Sequence, residues 1–304
     1  MPVGFVRVTY PFGSVFVWGG HAVRDLNEDI IEGETGARPE TGRQKSDFKE
    51  VTQRPTITVV VPAKNEALNL PHVLARIPGW VDEVILVDGG STDGTVEVAR
   101  SVLPEIRCIG QDRPGKGAAL RCGFAAATGD IIVMLDADVS TDPLEIPAFV
   151  GALLSGADMA KGSRFLQGGG THDMEWYRRL GNWGFVQLVR LRFGGNFSDL
   201  CYGYAAFWRD VLLQIPLDDL DGFEVETGMN IRALRARLRL AEVPSVEYSR
   251  IHGVSNLDTI RDGWRVLRTI ARLALLKAPQ MPAAPSPRRR AAQWMPIGQS
   301  TPGQ

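Results

Sequence analysis

The feature that most constrains the fold is an apolar run that ends in two acidic residues. Residues 131–138 read Ile-Ile-Val-Met-Leu-Asp-Ala-Asp, and five apolar residues in a row are about the length of a buried parallel strand. Ligands of open α/β sheets bind beyond the carboxyl ends of the strands, where Asp136 and Asp138 are expected. Paired carboxylates suit Mg²⁺ or Mn²⁺, and substrate phosphates usually complete the shell of such an ion. A solvated turn is the alternative for this short motif.

Two further segments repeat the same pattern. Ile57–Val61 is a buried type of strand that runs into Pro62-Ala63-Lys64-Asn65-Glu66, and Glu83–Val87 runs into Asp88. A helical pattern follows each of them, over residues 66–76 and 92–103, and a further strand-like stretch spans residues 240–249. This alternation predicts an α/β fold with a mostly parallel central sheet flanked by helices. Three strand ends then place polar groups at one crevice.

Five motifs together resemble family-2 glycosyltransferases. They are Val-Val-Pro-Ala-Lys-Asn-Glu (60–66), Val-Asp-Gly-Gly-Ser-Thr-Asp-Gly-Thr (87–95), Gly-Lys-Gly-Ala-Ala-Leu-Arg-Cys-Gly (115–123), Leu-Asp-Ala-Asp (135–138) and Gly-Ser-Arg-Phe (162–165). Each motif is weak alone, whereas all of them in the order of the family are specific. Within the family, the chain most resembles polyprenyl-phosphate sugar synthases of the dolichol-phosphate-mannose type, over about residues 55–255.

The resemblance implies a fold, a reaction and a cofactor. We expect a GT-A type domain over residues 54–257, an N-terminal extension over 1–53 that is partly disordered, and a C-terminal region over 258–304. That last region is read as a basic amphipathic helix followed by a disordered tail rich in Pro and Arg. The implied reaction is inverting transfer of a sugar from a nucleotide-diphospho-sugar, with Mg²⁺ or Mn²⁺ as the cofactor.

The resemblance also assigns the donor side of the site. The positions expected to bind the donor are Pro62, Ala63, Asn65, Glu66, Asp88, Lys116, Asp136, Ala137 and Arg250. Asp88 can accept hydrogen bonds from a nucleobase or ribose, and Lys116 lies in a Gly-rich turn at a helix start, which favours anions. Asp136 and Asp138 are the expected metal ligands. His252 is a third candidate ligand, with a phosphate contact or an ordinary polar side chain as the alternatives.

Four residues are assigned to catalysis and the acceptor: Asp138, Arg164, Glu226 and Asp199. Arg164 suits bidentate recognition of a phosphate. Glu226 is preferred to Glu224. Residues 198–204 resemble the family's Asp-then-Gly-aromatic segment beside the acceptor, and Asp199 within them either assists an acceptor hydroxyl or caps a loop. A phosphate acceptor is already ionised near neutral pH, whereas a hydroxyl acceptor needs a base within hydrogen-bond reach. The roles of these acids therefore depend on the acceptor.

Three functions remain open at this stage, and the first is preferred. It is transfer to a polyprenyl phosphate; the second is transfer to a soluble hydroxyl compound or natural product. The third is a sugar-phosphate nucleotidyltransferase, which is disfavoured because residues 62–66 lack a Gly-rich loop with an arginine.

Two segments bear on a membrane-bound acceptor. Met174–Phe193 mixes aromatic residues with arginines, and Leu257–Lys277 places four arginines (261, 265, 268 and 272) within an arc of about 60°. This composition favours a peripheral membrane contact, and a surface helix packed on the core is the alternative.

Composition narrows the class of protein. The 304 residues carry 34 Lys and Arg against 35 Asp and Glu, a net charge of −1 that argues against general nucleic-acid binding. The 3 cysteines lack metal-site spacing, so we expect reduced thiols in a cytoplasmic protein, at the inner membrane face if the acceptor is lipid-linked. The first residues lack the features of a signal peptide. No uncharged apolar stretch reaches the roughly 18 residues that suggest a membrane span.

Overall fold

The computed structural model describes residues 6–10, 13–18, 21–22, 54–172, 174–253 and 257–276. The chain divides into two compact units, Met1–Lys49 and Glu50–Gln304. The first unit contains strands β1 (Val6–Tyr10), β2 (Gly13–Trp18) and β3 (His21–Ala22), which pair antiparallel in that order. Most of the N-terminal extension and all of the Pro- and Arg-rich tail lie outside the described residues. The disorder expected there therefore remains a prediction.

The second unit is built on a sheet of 7 strands, in the order β11-β8-β10-β7-β4-β5-β6. These strands are β4 (Ile57–Ala63), β5 (Glu83–Asp88), β6 (Arg107–Gly110), β7 (Ile131–Met134), β8 (Met159–Ser163), β10 (Ala205–Trp208) and β11 (Leu240–Pro244). Two shorter strands, β9 (Gly170–Thr171) and β12 (Val246–Glu247), pair with each other in a separate parallel ladder.

The strands of the large sheet run in one direction except β10, which pairs antiparallel with both of its neighbours. The expected mostly parallel sheet is therefore confirmed. Strands β7 and β10 are buried along their whole length, and β4 nearly so, which explains why their sequences are continuous apolar runs. Because β4, β5 and β7 are parallel neighbours, the polar residues that follow them emerge at the same edge of the sheet.

Seven α-helices occur in the described residues: α1 (Leu70–Leu74), α2 (Thr95–Val102), α3 (Lys116–Ala126), α4 (Ile146–Leu154), α5 (Trp176–Phe193), α6 (Val225–Arg235) and α7 (Thr259–Leu275). Short 3₁₀ helices span Pro143–Glu145 and Arg209–Leu213. One face each of α5, α6 and α7 meets in a second apolar cluster, which includes Val189, Ile231 and Ile270. No helix among these residues has the length and apolar character needed to cross a bilayer.

Two elements differ from the sequence-based expectation, and each has a proline near the boundary that differs. Helix α1 begins only at Leu70, since residues 66–69 form a turn in which the Glu66 carbonyl accepts from the Asn69 and Leu70 amides. Pro71 then fits the first turn, where its missing N–H costs nothing. The strand-like stretch from Leu240 to Ser249 is broken after Pro244, and its second part pairs with β9 instead of the large sheet.

Candidate active site

A cavity of about 530 Å³ lies at the edge of the sheet where β4 and β7 end. At this end it is lined by Pro62, Ala63, Lys64, Glu66, Lys116, Asp136, Ala137, Asp138, Glu226 and Arg250. It continues past Arg164, Tyr202 and Glu247 to residues of α5 and of the first half of α7, including Tyr177, Arg178, Phe185 and Val266. The cavity therefore has a polar end beside the strand ends and a second end between two helices.

Lys116 joins two acids at the polar end. Its Nζ atom lies 2.7 Å from Asp136 Oδ1 and 2.9 Å from Glu226 Oε1. Gly203 makes this contact possible, because a Cβ atom there would lie 2.7 Å from Lys116 Nζ and 2.9 Å from Asp136 Oδ2. At the start of α3, Gly115 adopts φ +126° and lies directly against the Asp221 carbonyl, where a Cβ has no room.

Burial and charge act against each other in this group. Burial alone lowers the pKa of Lys116, but the Asp136 and Glu226 carboxylates outweigh it and raise the pKa above its ordinary value. Burial raises the pKa of Glu226, although Lys116 opposes the change. Lys116 is therefore firmly charged, and Glu226 is the acid that takes up a proton more readily than usual.

Arg250 joins two further acids. Its Nη1 atom lies 2.9 Å from Glu66 Oε1 and its Nη2 atom 2.6 Å from Asp138 Oδ2. The other oxygen of Asp138 accepts from the Ser140 amide and hydroxyl, at 3.1 and 2.5 Å. Val139 between them has φ +70°, a costly conformation for a β-branched residue. The turn after β7 thus stores strain to hold the Asp138 carboxylate at the cavity.

The acids at this end fit a divalent cation of the hard, oxygen-preferring kind. Asp136 and Asp138 both line the cavity and offer carboxylate oxygens. Within the described ranges, no group of three or more His, Cys, Asp or Glu side chains is arranged to hold a metal by itself. Two carboxylates are nevertheless sufficient for Mg²⁺ when substrate phosphates supply further ligands. The chemistry of the residues therefore suits a metal that binds together with a diphosphate.

Arg164 is held by two acids farther along the cavity. Its Nε and Nη2 atoms donate to Asp199 at 2.7 and 3.0 Å, and its Nη1 atom donates to Glu247 at 3.0 and 3.1 Å. The guanidinium also stacks over the Tyr202 ring, 4.8 Å from its centroid. Burial by itself raises the pKa of Asp199, but Arg164 and Lys161 outweigh it and lower that pKa. Asp199 is therefore an ion-pair partner of Arg164 and a poor proton acceptor.

The structure brings most of the expected site residues together. Pro62, Ala63, Glu66, Lys116, Asp136, Ala137, Asp138, Arg164, Glu226 and Arg250 all line the cavity. The lining does not include Asn65, Asp88, Asp199 or His252. Asn65 ties two loops together, since its amide donates to Ser91 Oγ and its Oδ1 accepts from the Thr92 amide.

The other three residues outside the lining also have structural contacts. Asp88 accepts from the amides of Gly90 and Ser91 in its own loop. Asp199 lies behind Arg164, and the main chain of His252 hydrogen-bonds the Asn69 side chain. The expected roles of these residues in donor, acceptor or metal binding remain predictions.

Sequence reasoning did not identify Gly203, Tyr202 or Glu247 as contributors to the cavity. Gly203 belongs to the Asp-then-Gly-aromatic segment that the sequence singles out at 198–204, so its motif was visible but its packing role was not. No local sequence motif marked Glu247, because it lies in a stretch that the sequence predicts to be an ordinary strand. Its role appears only when β12 places it opposite Thr171, whose hydroxyl donates to it at 2.6 Å.

The sequence model of Glycosyl transferase family 2 matches residues 58–215, the part of the chain that carries the sheet edge and most of the cavity. This chain belongs to glycosyltransferase family 2. Its five motifs, noted above as a resemblance, therefore reflect membership of the family, and the chain is a glycosyltransferase. The alternative of a sugar-phosphate nucleotidyltransferase is set aside.

Curated relatives are similar over most of the chain. Glycosyltransferase AglJ of Haloferax volcanii is 31% identical over 229 residues, covering 73% of each chain. Polyprenol monophosphomannose synthase of Mycolicibacterium smegmatis is 32% identical over 225 residues, covering 68% of this chain and 83% of its own.

A solved structure is similar in fold. Glucosyl-3-phosphoglycerate synthase of Mycobacterium tuberculosis, in complex with Mn²⁺, UDP-glucose and phosphoglyceric acid, superposes with a TM-score of 0.61. It is 28% identical, and the match covers 80% of this chain and 87% of that one. The expected GT-A architecture is confirmed.

Proposed function

We propose that this glycosyltransferase moves a sugar, with inversion, from a nucleotide-diphospho-sugar to a polyprenyl phosphate, and that the reaction depends on Mg²⁺ or Mn²⁺. The observation that carries the proposal is the shape and chemistry of one cavity. Its polar end holds Asp136, Asp138 and Lys116, and its other end lies between α5 and α7, whose exposed faces carry aromatic, apolar and basic residues. A charged donor fits the first end and a lipid phosphate fits the second.

We place the donor diphosphate at the polar end of the cavity. Asp136 and Asp138 would hold the cation, which would supply Lewis-acid stabilisation of the departing nucleoside diphosphate. Lys116 is already fixed between two acids and supplies a positive charge beside Asp136. Arg250 lies on the Asp138 side and supplies a second one. Gly203 lets Lys116 and Asp136 approach each other closely.

We place the acceptor near Arg164. This arginine is 5% exposed, yet it borders the cavity, so it can meet an anionic group while its position stays fixed. A buried, preorganised guanidinium suits a phosphate better than a neutral hydroxyl. Asp199 is occupied by Arg164 and cannot serve as an effective base, which also suits an acceptor that needs no deprotonation.

Helices α5 and α7 give the proposed acceptor end a membrane-binding surface. On α5, Trp176, Leu180, Trp183 and Leu191 are exposed, at 76, 57, 61 and 88%. At about 100° per residue they form one stripe, opposite the buried residues Asn182, Val186 and Val189. On α7, Ile260 and Trp264 are exposed beside Arg261 and Arg268. Aromatic, apolar and basic residues together favour an anionic bilayer as the partner of these faces.

The four arginines of α7 are not equivalent. Arg265 pairs with Asp262 at 3.4 Å and Arg272 with Asp219 at 2.6 Å. Arg261 and Arg268 are exposed and have no ion pair with a described residue. The sequence predicted a membrane contact for all four arginines of α7. We therefore propose that Arg261 and Arg268 make this contact.

A second candidate acceptor is a small phosphorylated hydroxy compound. The similarity to glucosyl-3-phosphoglycerate synthase, whose structure contains phosphoglyceric acid, favours it. The experiment that separates the two is a panel of nucleotide-sugars with Mn²⁺, in which nucleoside diphosphate release is measured with each acceptor class. Release that depends on polyprenyl phosphate supports the first candidate. Release that occurs only with small phosphorylated hydroxy compounds supports the second.

A further inference from the structure

Two carboxylates share the Arg164 guanidinium, and they differ in their access to the cavity. The Asp199 side chain is 0% exposed and is absent from the cavity wall. The Glu247 side chain is 15% exposed and forms part of that wall. One acid therefore lies behind the arginine, and the other lies on the side from which a ligand approaches.

Asp199 is the permanent partner. It accepts from Nε, Nη2 and the backbone amide of Arg164, at 2.7, 3.0 and 3.2 Å. The Cys201 amide also donates to Asp199, at 3.3 Å. Together with the stacking of Tyr202, these contacts fix the guanidinium independently of Glu247.

Glu247 is the partner that can be exchanged. It is carried by β12, which has two residues and pairs only with the equally short β9 among the described strands. Small two-stranded ladders are marginally stable, so a shift of this side chain disturbs little of the fold. Its bonds are to Nη1 of Arg164 and to the Thr171 hydroxyl. Both donors can equally serve a phosphate oxygen.

We propose that Glu247 occupies the position on Arg164 that the acceptor phosphate takes, and that it selects phosphate-terminated acceptors over neutral alcohols. This inference rests on the proposed function and names the specificity residue of that site. A phosphate monoester carries about −1.5 to −2 charges near pH 7, so it displaces a carboxylate of single charge. A neutral hydroxyl does not, because it would leave a charge-assisted bond unreplaced. A competing group of this kind gives specificity by disfavouring the ligands that cannot displace it.

The rival role for Glu247 is that of a general base. A base must lie within reach of an acceptor hydroxyl, and Glu247 borders the cavity. The two roles predict opposite effects of removing the charge. A competing anion weakens phosphate binding, so its loss strengthens binding. A base is needed for turnover of a hydroxyl acceptor, so its loss abolishes that turnover.

The experiment is calorimetry of the full chain with a short-chain prenyl phosphate, without donor or metal. For Glu247→Gln we expect the Kd to fall about tenfold, since a glutamine still accepts from Arg164 but competes less well. The matched control is Glu242→Gln, which removes the charge of a nearby acid of 12% exposure that contacts Lys161 and the Ser198 and Asp199 amides instead of Arg164. Its Kd should equal that of the wild type. Inorganic phosphate should show the same ratio, because the exchange involves only phosphate oxygens.

Glu247→Asp gives a second variant, which keeps the charge but withdraws it from Nη1, and we expect a smaller gain in affinity. An unchanged or weaker affinity in either variant, with a normal thermal melt, overturns the proposal. So does a Glu247→Gln enzyme that loses transfer to a hydroxyl acceptor. Because binding is measured without donor, a failure of this test is distinct from an enzyme that binds prenyl phosphate but does not glycosylate it.

Discussion

The Nη2 atom of Arg250 lies 2.6 Å from Oδ2 of Asp138, the acid that we assign to the metal. A divalent cation and this guanidinium therefore compete for one carboxylate. We expect Arg250→Met to raise the affinity for Mn²⁺ without donor about threefold to tenfold, the equivalent of an ion pair of about 1 kcal/mol. Titration of Mn²⁺, followed by its paramagnetic signal, measures this. Arg239→Met, which removes an arginine paired with Asp158, is the control. Equal Mn²⁺ affinity in all three proteins would show that no competition exists.

Gly203 should be required for activity more than for stability. An alanine there would push against the ends of Lys116 and Asp136, which can shift without unfolding the chain. We expect Gly203→Ala to lower kcat/KM about 100-fold, the loss typical of reacting groups displaced by about 1 Å, with little change in Tm. Gly184→Ala is the matched control, because a Cβ there meets nothing within 4 Å. Comparable activity of the two variants would show that the close approach of Lys116 and Asp136 at Gly203 is not required for activity.

Asp199 should contribute more to stability than to chemistry. Replacing it by asparagine leaves the buried Arg164 with one acid, and breaking a buried pair typically costs about 3–5 kcal/mol. We expect urea unfolding to show this loss for Asp199→Asn, and the double variant with Arg164→Met to lose less than the two single variants together. A loss below about 1 kcal/mol would contradict the ion-pair role.

The same substitution has a pH signature. The pKa of Asp199 is lower in the folded protein than its ordinary value of about 3.9. Its charge therefore stabilises the fold fully above about pH 4, and this contribution is lost as pH falls through the folded pKa. The stability gap between wild type and Asp199→Asn should be constant from pH 5 to 8 and should narrow only below about pH 4.

Membrane binding should depend on the two exposed arginines of α7. We expect sedimentation with anionic liposomes at low salt, and release as the Debye length falls from about 10 Å at 0.1 M to 3 Å at 1 M. Arg261→Gln with Arg268→Gln should reduce sedimentation more than Arg265→Gln with Arg272→Gln, whose arginines pair with acids. Equal loss in both double variants would place the contact elsewhere on the surface.

The sequence predicted the sheet edge well, because buried parallel strands appear as apolar runs and their polar ends follow directly. Asp136, Asp138 and Glu66 could be placed in one crevice on that basis alone. The partners of Arg164 could not. Asp199 and Glu247 lie 35 and 83 residues away in sequence, and only the pairing of β12 with β9 brings Glu247 to the cavity. The local sequence pattern also could not show which of the four arginines on α7 form an ion pair with an acidic residue.

The most direct test of the account is the product formed from a polyprenyl phosphate. Purified protein, Mn²⁺ and the preferred nucleotide-sugar are incubated with polyprenyl phosphate in anionic vesicles, and the lipid fraction is analysed by mass spectrometry. We predict a polyprenyl-phosphate sugar with inverted anomeric configuration, none with excess EDTA, and none with Asp138→Ala despite an unchanged melt. Transfer only to water-soluble acceptors, or full lipid product from Asp138→Ala, would contradict the account.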